Sequence, residues 1–235
     1  MEFLLLIEDR RDEPARAEIG VAEMMKFGSE LAESGALVCG AGPLAAESAG
    51  ARVRTRNGRL LVTDGPFAET KEIVCGYWVV KADSREAAIE LAKGCPYARV
   101  GQIEVRQAGS SRADRTPPTG PRFLILLREG PNPELRDGPA EYADMVAYTG
   151  ALQREGKYIE SAGLPRQARA ARVEVRDGKT LVSDGPFAES KEIVGGLVLI
   201  EAADRDEAIA LAARCPHVSW GCAEVRAVRS ASSGP

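Results

Sequence analysis

The string "TDGPFAETKE" spans residues 63–72, and "SDGPFAESKE" spans residues 183–192. Asp64 and Asp184 lie 120 positions apart, and the same shift aligns the surrounding sequence. It lays "FLLLIEDR" (3–10) over "FLILLREG" (123–130) and "CPYARVGQIEVR" (95–106) over "CPHVSWGCAEVR" (215–226). Residues 53–106 and 173–226 share 28 identities in 54 ungapped positions. No solenoid has so long a repeat unit, so the pattern reads as one domain copied once. The expected boundaries are 1–107 for the first domain, 108–120 for a linker and 121–229 for the second domain. The linker lies within the Pro-, Gly- and Ser-rich "QAGSSRADRTPPTGP" (107–121). Residues 230–235 are expected to be a disordered tail.

Within each copy the apolar period alternates between strand and helix. "FLLLI" (3–7) predicts a buried strand. Val21, Met24, Met25, Leu31 and Ala32 predict a helix, as do Met145, Tyr148 and Leu152, and Gly35 and Gly156 stop these helices. Second strands follow at 36–40 and 157–161. Asn57-Gly58 and Asp177-Gly178 accept the positive φ of a type I′ hairpin turn, which sets Thr55 opposite Leu60 and Val53 opposite Val62. Residues 73–82 and 193–202 read as strands buried on both faces. Asp83 or Ser84, and Asp204, then cap short helices, with Asp204 and Glu207 forming a capping box. Ala88, Leu91 and Ala92, and their counterparts Ala208, Leu211 and Ala212, form the inner stripes. "QIEVR" and "CAEVR" are the last strands. Apart from the hairpin, the order β-α-β-β-α-β predicts an α+β fold of two ferredoxin-like domains. Each sheet has one face without helices, so the copies are expected to cover each other as a dimeric α+β barrel, either within one chain or in a homodimer.

Composition excludes several classes. The 31 basic and 35 acidic side chains give a net charge of −4, which does not favour nucleic acid. "FLLLI" is too short for a membrane span or a signal h-region, so a cytoplasmic protein is expected. Five cysteines without a CxxC, and a single histidine, His217, argue against a disulfide framework or a zinc site. No cofactor or metal is expected.

Asp64-Gly65-Pro66 is turn chemistry, and Phe67 is an apolar anchor in a polar loop. The bland reading is a structural turn with its charges in water. The functional reading is a pocket rim. There Asp64, Asp184, Glu69 or Glu189 would serve as acid or base. Lys71, Lys191, Glu72 and Glu192 would contact a ligand. Tyr77, replaced by Leu197 in the second copy, and His217, which follows Cys215-Pro216, are further ligand-binding candidates. Tyr77 and Trp78 would make one barrel interior the more aromatic. Arg52, Arg54 and Arg56 share one side of a strand, but Arg54 becomes Glu174, so this side reads as a solvated hairpin face. Cys95 and Cys215 read as core residues, and Trp220 as packing.

"DGPFAETKE", its upstream "RNGRLLVT" and the downstream "GYWVVKA", "CP" and "GQIEVR" resemble the DGPF group of the YCII-related family over nearly all of each copy. The resemblance implies a ferredoxin-like fold paired into a dimeric barrel. It further implies links, for some members, to extracytoplasmic-function sigma factors, and for a relative, a lyase-like dehalogenation of a chlorinated hydroquinone. The His and Asp-Pro pair proposed for YCII-type proteins is not carried over. The first helices hold no His, and Cys95 or Cys215 precedes the proline. The resemblance and the lack of a recognisable catalytic set lead to a ligand-binding or regulatory module, acting on a small molecule or a protein such as a sigma factor. The alternatives are a lyase-like or hydrolytic enzyme with a pocket between the sheets, and a structural pseudo-dimer without ligand.

Overall fold

β1 (Glu2–Arg10) alternates its burial to both sides: Phe3, Leu5 and Ile7 pack toward helices, and Leu4 and Leu6 pack toward a second sheet. That double burial sets the layering of the chain. The computed structural model describes residues 1–11, 19–68, 70–114, 119–130, 139–164, 170–185, 187 and 192–229. In the first half β1 is followed by α1 (Val21–Glu33), β2 (Leu37–Ala41), the hairpin β3 (Ala51–Arg56) and β4 (Arg59–Asp64), β5 (Glu72–Lys81), α2 (Arg85–Lys93) and β6 (Gln102–Gln107). After β7 (Gly109–Arg112) the second half repeats the order. It runs β8 (Arg122–Glu129), α3 (Pro139–Arg154), β9 (Tyr158–Gly163), β10 (Ala171–Arg176), β11 (Lys179–Asp184), β12 (Ile193–Glu201), α4 (Arg205–Ala213) and β13 (Cys222–Ala227). The chain is α+β, two ferredoxin-like units with two helices each.

The hairpins do not join their own sheets. One sheet has the order β11-β10-β6-β1-β5-β2, and the other β4-β3-β13-β8-β12-β9-β7. Val53 of β3 pairs with Ala223 of β13, and Val173 of β10 with Ile103 of β6. Each half thus lends its hairpin to the sheet of the other. The two sheets face each other but are not closed into the expected barrel. The exchanged hairpins extend each sheet outward to an edge strand, and β4 and β11 are exposed along their whole length.

Three apolar layers result. Phe27, Leu31, Ala88 and Ala92 cover one sheet, and Tyr148, Leu152, Ala208 and Ala212 cover the other. Leu4, Leu6, Tyr77, Leu124, Leu126, Leu197 and Leu199 lie between the sheets. Burial of this kind is the main driving force for folding.

The local predictions hold with corrections. Asn57, Gly58, Asp177 and Gly178 all have positive φ, and Thr55 faces Leu60 and Val53 faces Val62. Ser84 and Asp204 side chains accept from the N–H of Ala87 and Glu207. Glu207 returns to the N–H of Ala203, one residue before the cap. In α1 the buried residues are Phe27 and Leu31, while Val21 and Met25 are exposed. The linker is not featureless: β7 pairs with β9 as an edge strand. The tail at 230–235 lies outside the described residues. No helix among the described residues is long and apolar enough to cross a membrane.

Candidate functional site

The DGPF loop is built by close approach. Gly65 donates its N–H to Gly50 O, and a Cβ on Gly65 would sit 2.1 Å from Glu47 O, so glycine is required there. The following Gly65–Pro66 peptide is cis. Phe67 lies in the interior, 3% exposed, beneath the guanidinium of Arg52 at 4.1 Å. Phe187 holds the same position under Arg172 at 3.8 Å. Cation–π contact of this kind strengthens as water is excluded.

Arg52 lies on the inner face of β3, where it meets four groups. Its Nη1 and Nη2 donate to the two Glu192 oxygens at 2.9 and 2.8 Å, a bidentate fork. Nη2 also donates to Thr70 Oγ1 at 2.6 Å and to Glu224 Oε2 at 2.9 Å. Arg128 Nε donates to the same Glu224 oxygen at 2.7 Å, and Arg226 Nη1 to Glu224 Oε1 at 3.3 Å. Glu224, Arg52, Arg128 and Arg226 are all buried. Burial pushes the Glu224 carboxyl up, but Arg128, Arg52 and Arg226 outweigh it and hold it at about 2. Arg128 Nη2 is buried without a hydrogen-bond partner among the described residues.

The second cluster is the counterpart on the other sheet. Arg172 donates to Glu104 at 3.3 Å and Glu72 at 3.4 Å, and Arg106 lies 3.7 Å from Glu104. Glu8 replaces the counterpart of Arg128 and accepts from Gln102 Nε2 at 2.8 Å. Burial first, then Glu104, push its carboxyl up to about 8, against Arg172 and Gln102. In both clusters the arginine over the ring and its phenylalanine come from one half and the acids from the other.

The residues singled out from sequence are scattered. Glu72 and Glu192 sit in the two clusters. Asp64 and Asp184 are mostly exposed and bind Arg205 and Arg85, each at the start of the other half's second helix. Glu69, Glu189 and Lys191 lie outside the described residues. Lys71 is half-buried, and its carbonyl accepts from Arg11 N–H. Tyr77 lies between the sheets and donates to Glu160 at 2.6 Å; burial raises its pKa well above the ordinary value. Trp78 is on the opposite face, edge-on to Phe27, so only Tyr77 enriches the intersheet layer. His217 is buried, within 3.1 Å of Arg128 O and edge-on to Trp220. Burial lowers its pKa despite that bond, which favours the neutral ring. Cys95 and Cys215 are buried, with thiols pushed up to about 11 and about 12 by burial, so neither is an activated thiolate. Among the described residues no group of three or more His, Cys, Asp and Glu could hold a metal. A depression of about 340 Å³ lies beside Gly120, Glu155, Lys157 and Glu201, and no motif residue lines it.

The sequence reading missed Arg52, Arg128 and Glu224. Only a weak signal was present: Arg52 and Arg172, Glu104 and Glu224, and Arg106 and Arg226 are identical at the 120-residue offset, but so are their neighbours Ala51 and Ala171, Val53 and Val173, and Val105 and Val225, and Arg128 falls on Glu8. Arg52 is buried because the first part of β3 is covered by β13 and the opposing layer. Arg54 is half-buried and Arg56 exposed, so the solvated face begins only toward the turn.

The sequence model of the YCII-related domain matches residues 1–108 and again residues 122–232. An uncharacterised protein of Rhizobium meliloti (strain 1021) is 42% identical over 84 residues, which cover 32% of this chain and 66% of that protein.

Proposed function

We propose, from the premise that this chain belongs to the YCII-related family with its domain present twice, that it is a small-ligand-binding module whose binding element is the intersheet cluster around Arg128. The observation that carries this reading is the buried Arg128 Nη2, without a hydrogen-bond partner among the described residues, in a cluster where three guanidiniums meet Glu224 and Glu192. Unsatisfied buried charge is costly, and such groups gather at functional sites. Asp64 and Asp184 serve the exchange of hairpins through Arg205 and Arg85. A sigma-factor partner rests on the family resemblance alone.

An enzymatic reading has one observation in its favour. Glu8, with its carboxyl pushed up to about 8, is suited to exchanging a proton near neutral pH. Thermal-shift screening of the intact chain against small carboxylates, phosphates, amines and neutral aromatics tests the binding reading. A ligand that binds only the folded state raises the melting temperature. No shift with any class at millimolar concentration overturns it.

A further inference from the structure

We propose that the two clusters differ in kind: the Arg128 cluster takes one small oxyanion, a carboxylate or a phosphate, per chain, and the Glu8 cluster takes none. The proposal rests on the ligand-binding reading above and names its ligand class and stoichiometry.

Residues 8 and 128 occupy the same place in the duplicated domain, on the strand beside the last strand of each half. One is an acid and the other a base. Around Arg128, the Arg52, Arg128 and Arg226 guanidiniums face Glu224 and Glu192, and the nearby buried Glu47 is paired with Arg11, so four guanidiniums stand against three carboxylates. Phe67 holds the plane of Arg52, as Phe187 does that of Arg172, and among the described residues Arg128 Nη2 is a donor without an acceptor. Planar guanidinium forks suit oxyanions above other ligands. Around Glu8, two guanidiniums, Arg172 and Arg106, face Glu72 and Glu104, with Glu8 as a third carboxyl. There the side chain of residue 8 supplies a carboxyl in place of a cationic donor, so two guanidiniums are already matched by Glu72 and Glu104 and none is left over for a ligand anion.

Glu192 marks the way in. Its side chain is 18% exposed, while Arg52, Arg128, Arg226 and Glu224 are exposed by 3% or less. Its two oxygens hold the Arg52 fork in the manner of a free carboxylate, so an incoming oxyanion competes with this tethered one.

Calorimetric titration of the intact chain with inorganic phosphate and, separately, with succinate tests the proposal at low salt and pH 7. One site per chain is expected, with the better probe distinguishing phosphate from carboxylate. Arg128→Gln should weaken binding about ten- to hundred-fold, as loss of charge-assisted hydrogen bonds does. Glu192→Gln should tighten binding several-fold, and this partly exposed position keeps the test valid where Arg128→Gln does not fold. Two sites per chain, or affinity unchanged in Glu192→Gln, overturns the proposal. If a cationic or neutral compound from the wider screen binds while both anions do not, the oxyanion proposal fails and the ligand-binding reading stands. If nothing binds at all, both fail.

Discussion

Arg52 and Glu224 are 172 residues apart in the chain, yet Arg52 Nη2 donates to Glu224 Oε2 over 2.9 Å in the buried layer between the sheets. One belongs to the hairpin of the first half and the other to the last strand of the second. The contact exists only because the hairpins are exchanged.

Glu224→Gln is expected to destabilise the protein by about 3–5 kcal/mol, since it leaves three buried guanidiniums facing an amide. Denaturant unfolding measures it. A loss below about 1 kcal/mol contradicts the central place of Glu224 in the cluster.

The DGPF residues should separate sharply. Asp64→Ala and Asp184→Ala remove exposed ion pairs to Arg205 and Arg85, which are worth less than about 1 kcal/mol. Phe67→Ala empties a buried site and withdraws the ring under Arg52, at a cost of about 3–5 kcal/mol. Melting temperatures of the three variants check the order.

The two halves should not exist as folded monomers. Fragments 1–107 and 121–229 each carry a hairpin with no sheet of its own, and a sheet that lacks its outer strands. Light scattering and circular dichroism of each fragment should show an unfolded chain or a self-associated dimer. Mixing should yield a one-to-one complex. A folded monomer of either fragment contradicts the exchange.

Glu8 should impose a pH dependence on stability. Its folded pKa, about 8, lies above the ordinary 4.5, so the folded protein holds the proton more tightly than the unfolded chain. Between these values stability falls as pH rises, and above about 8 this group adds no further loss. Glu8→Gln carries no such proton. Its stability relative to the natural chain should therefore rise across pH 5 to 8 by a few kcal/mol. A difference that stays constant with pH contradicts the raised pKa.

Much of the architecture was legible because it rests on local chemistry. Asn57-Gly58 dictates a turn, the turn dictates the pairing of Val53 with Val62, and Ser84 and Asp204 start helices through their own oxygens. The exchange was not legible. "QIEVR" and "CAEVR" present nearly the same alternation, so β3 could pair with β6 or β13 without any change in pattern. The same ambiguity hid the candidate site. Charged residues at alternate positions in a strand read as a solvated face until a second sheet is laid over them. Arg52, Arg106, Glu104 and Glu224 are therefore explained by tertiary structure, while Asp64 and Asp184, prominent in the motif, lie at the surface.

The strand pairing also orders events during synthesis. The sheet that begins at Glu2 is completed only by β10 and β11, so its outer edge waits until Asp184 has left the ribosome. Until then the side of β6 that will receive β10 lacks its intended partner. Such an open edge invites association with other chains, and a neighbouring nascent copy offers the same hairpin as the later half of its own chain. Translation speed across residues 108–184 thus becomes a determinant of whether the product closes on itself or on its neighbour.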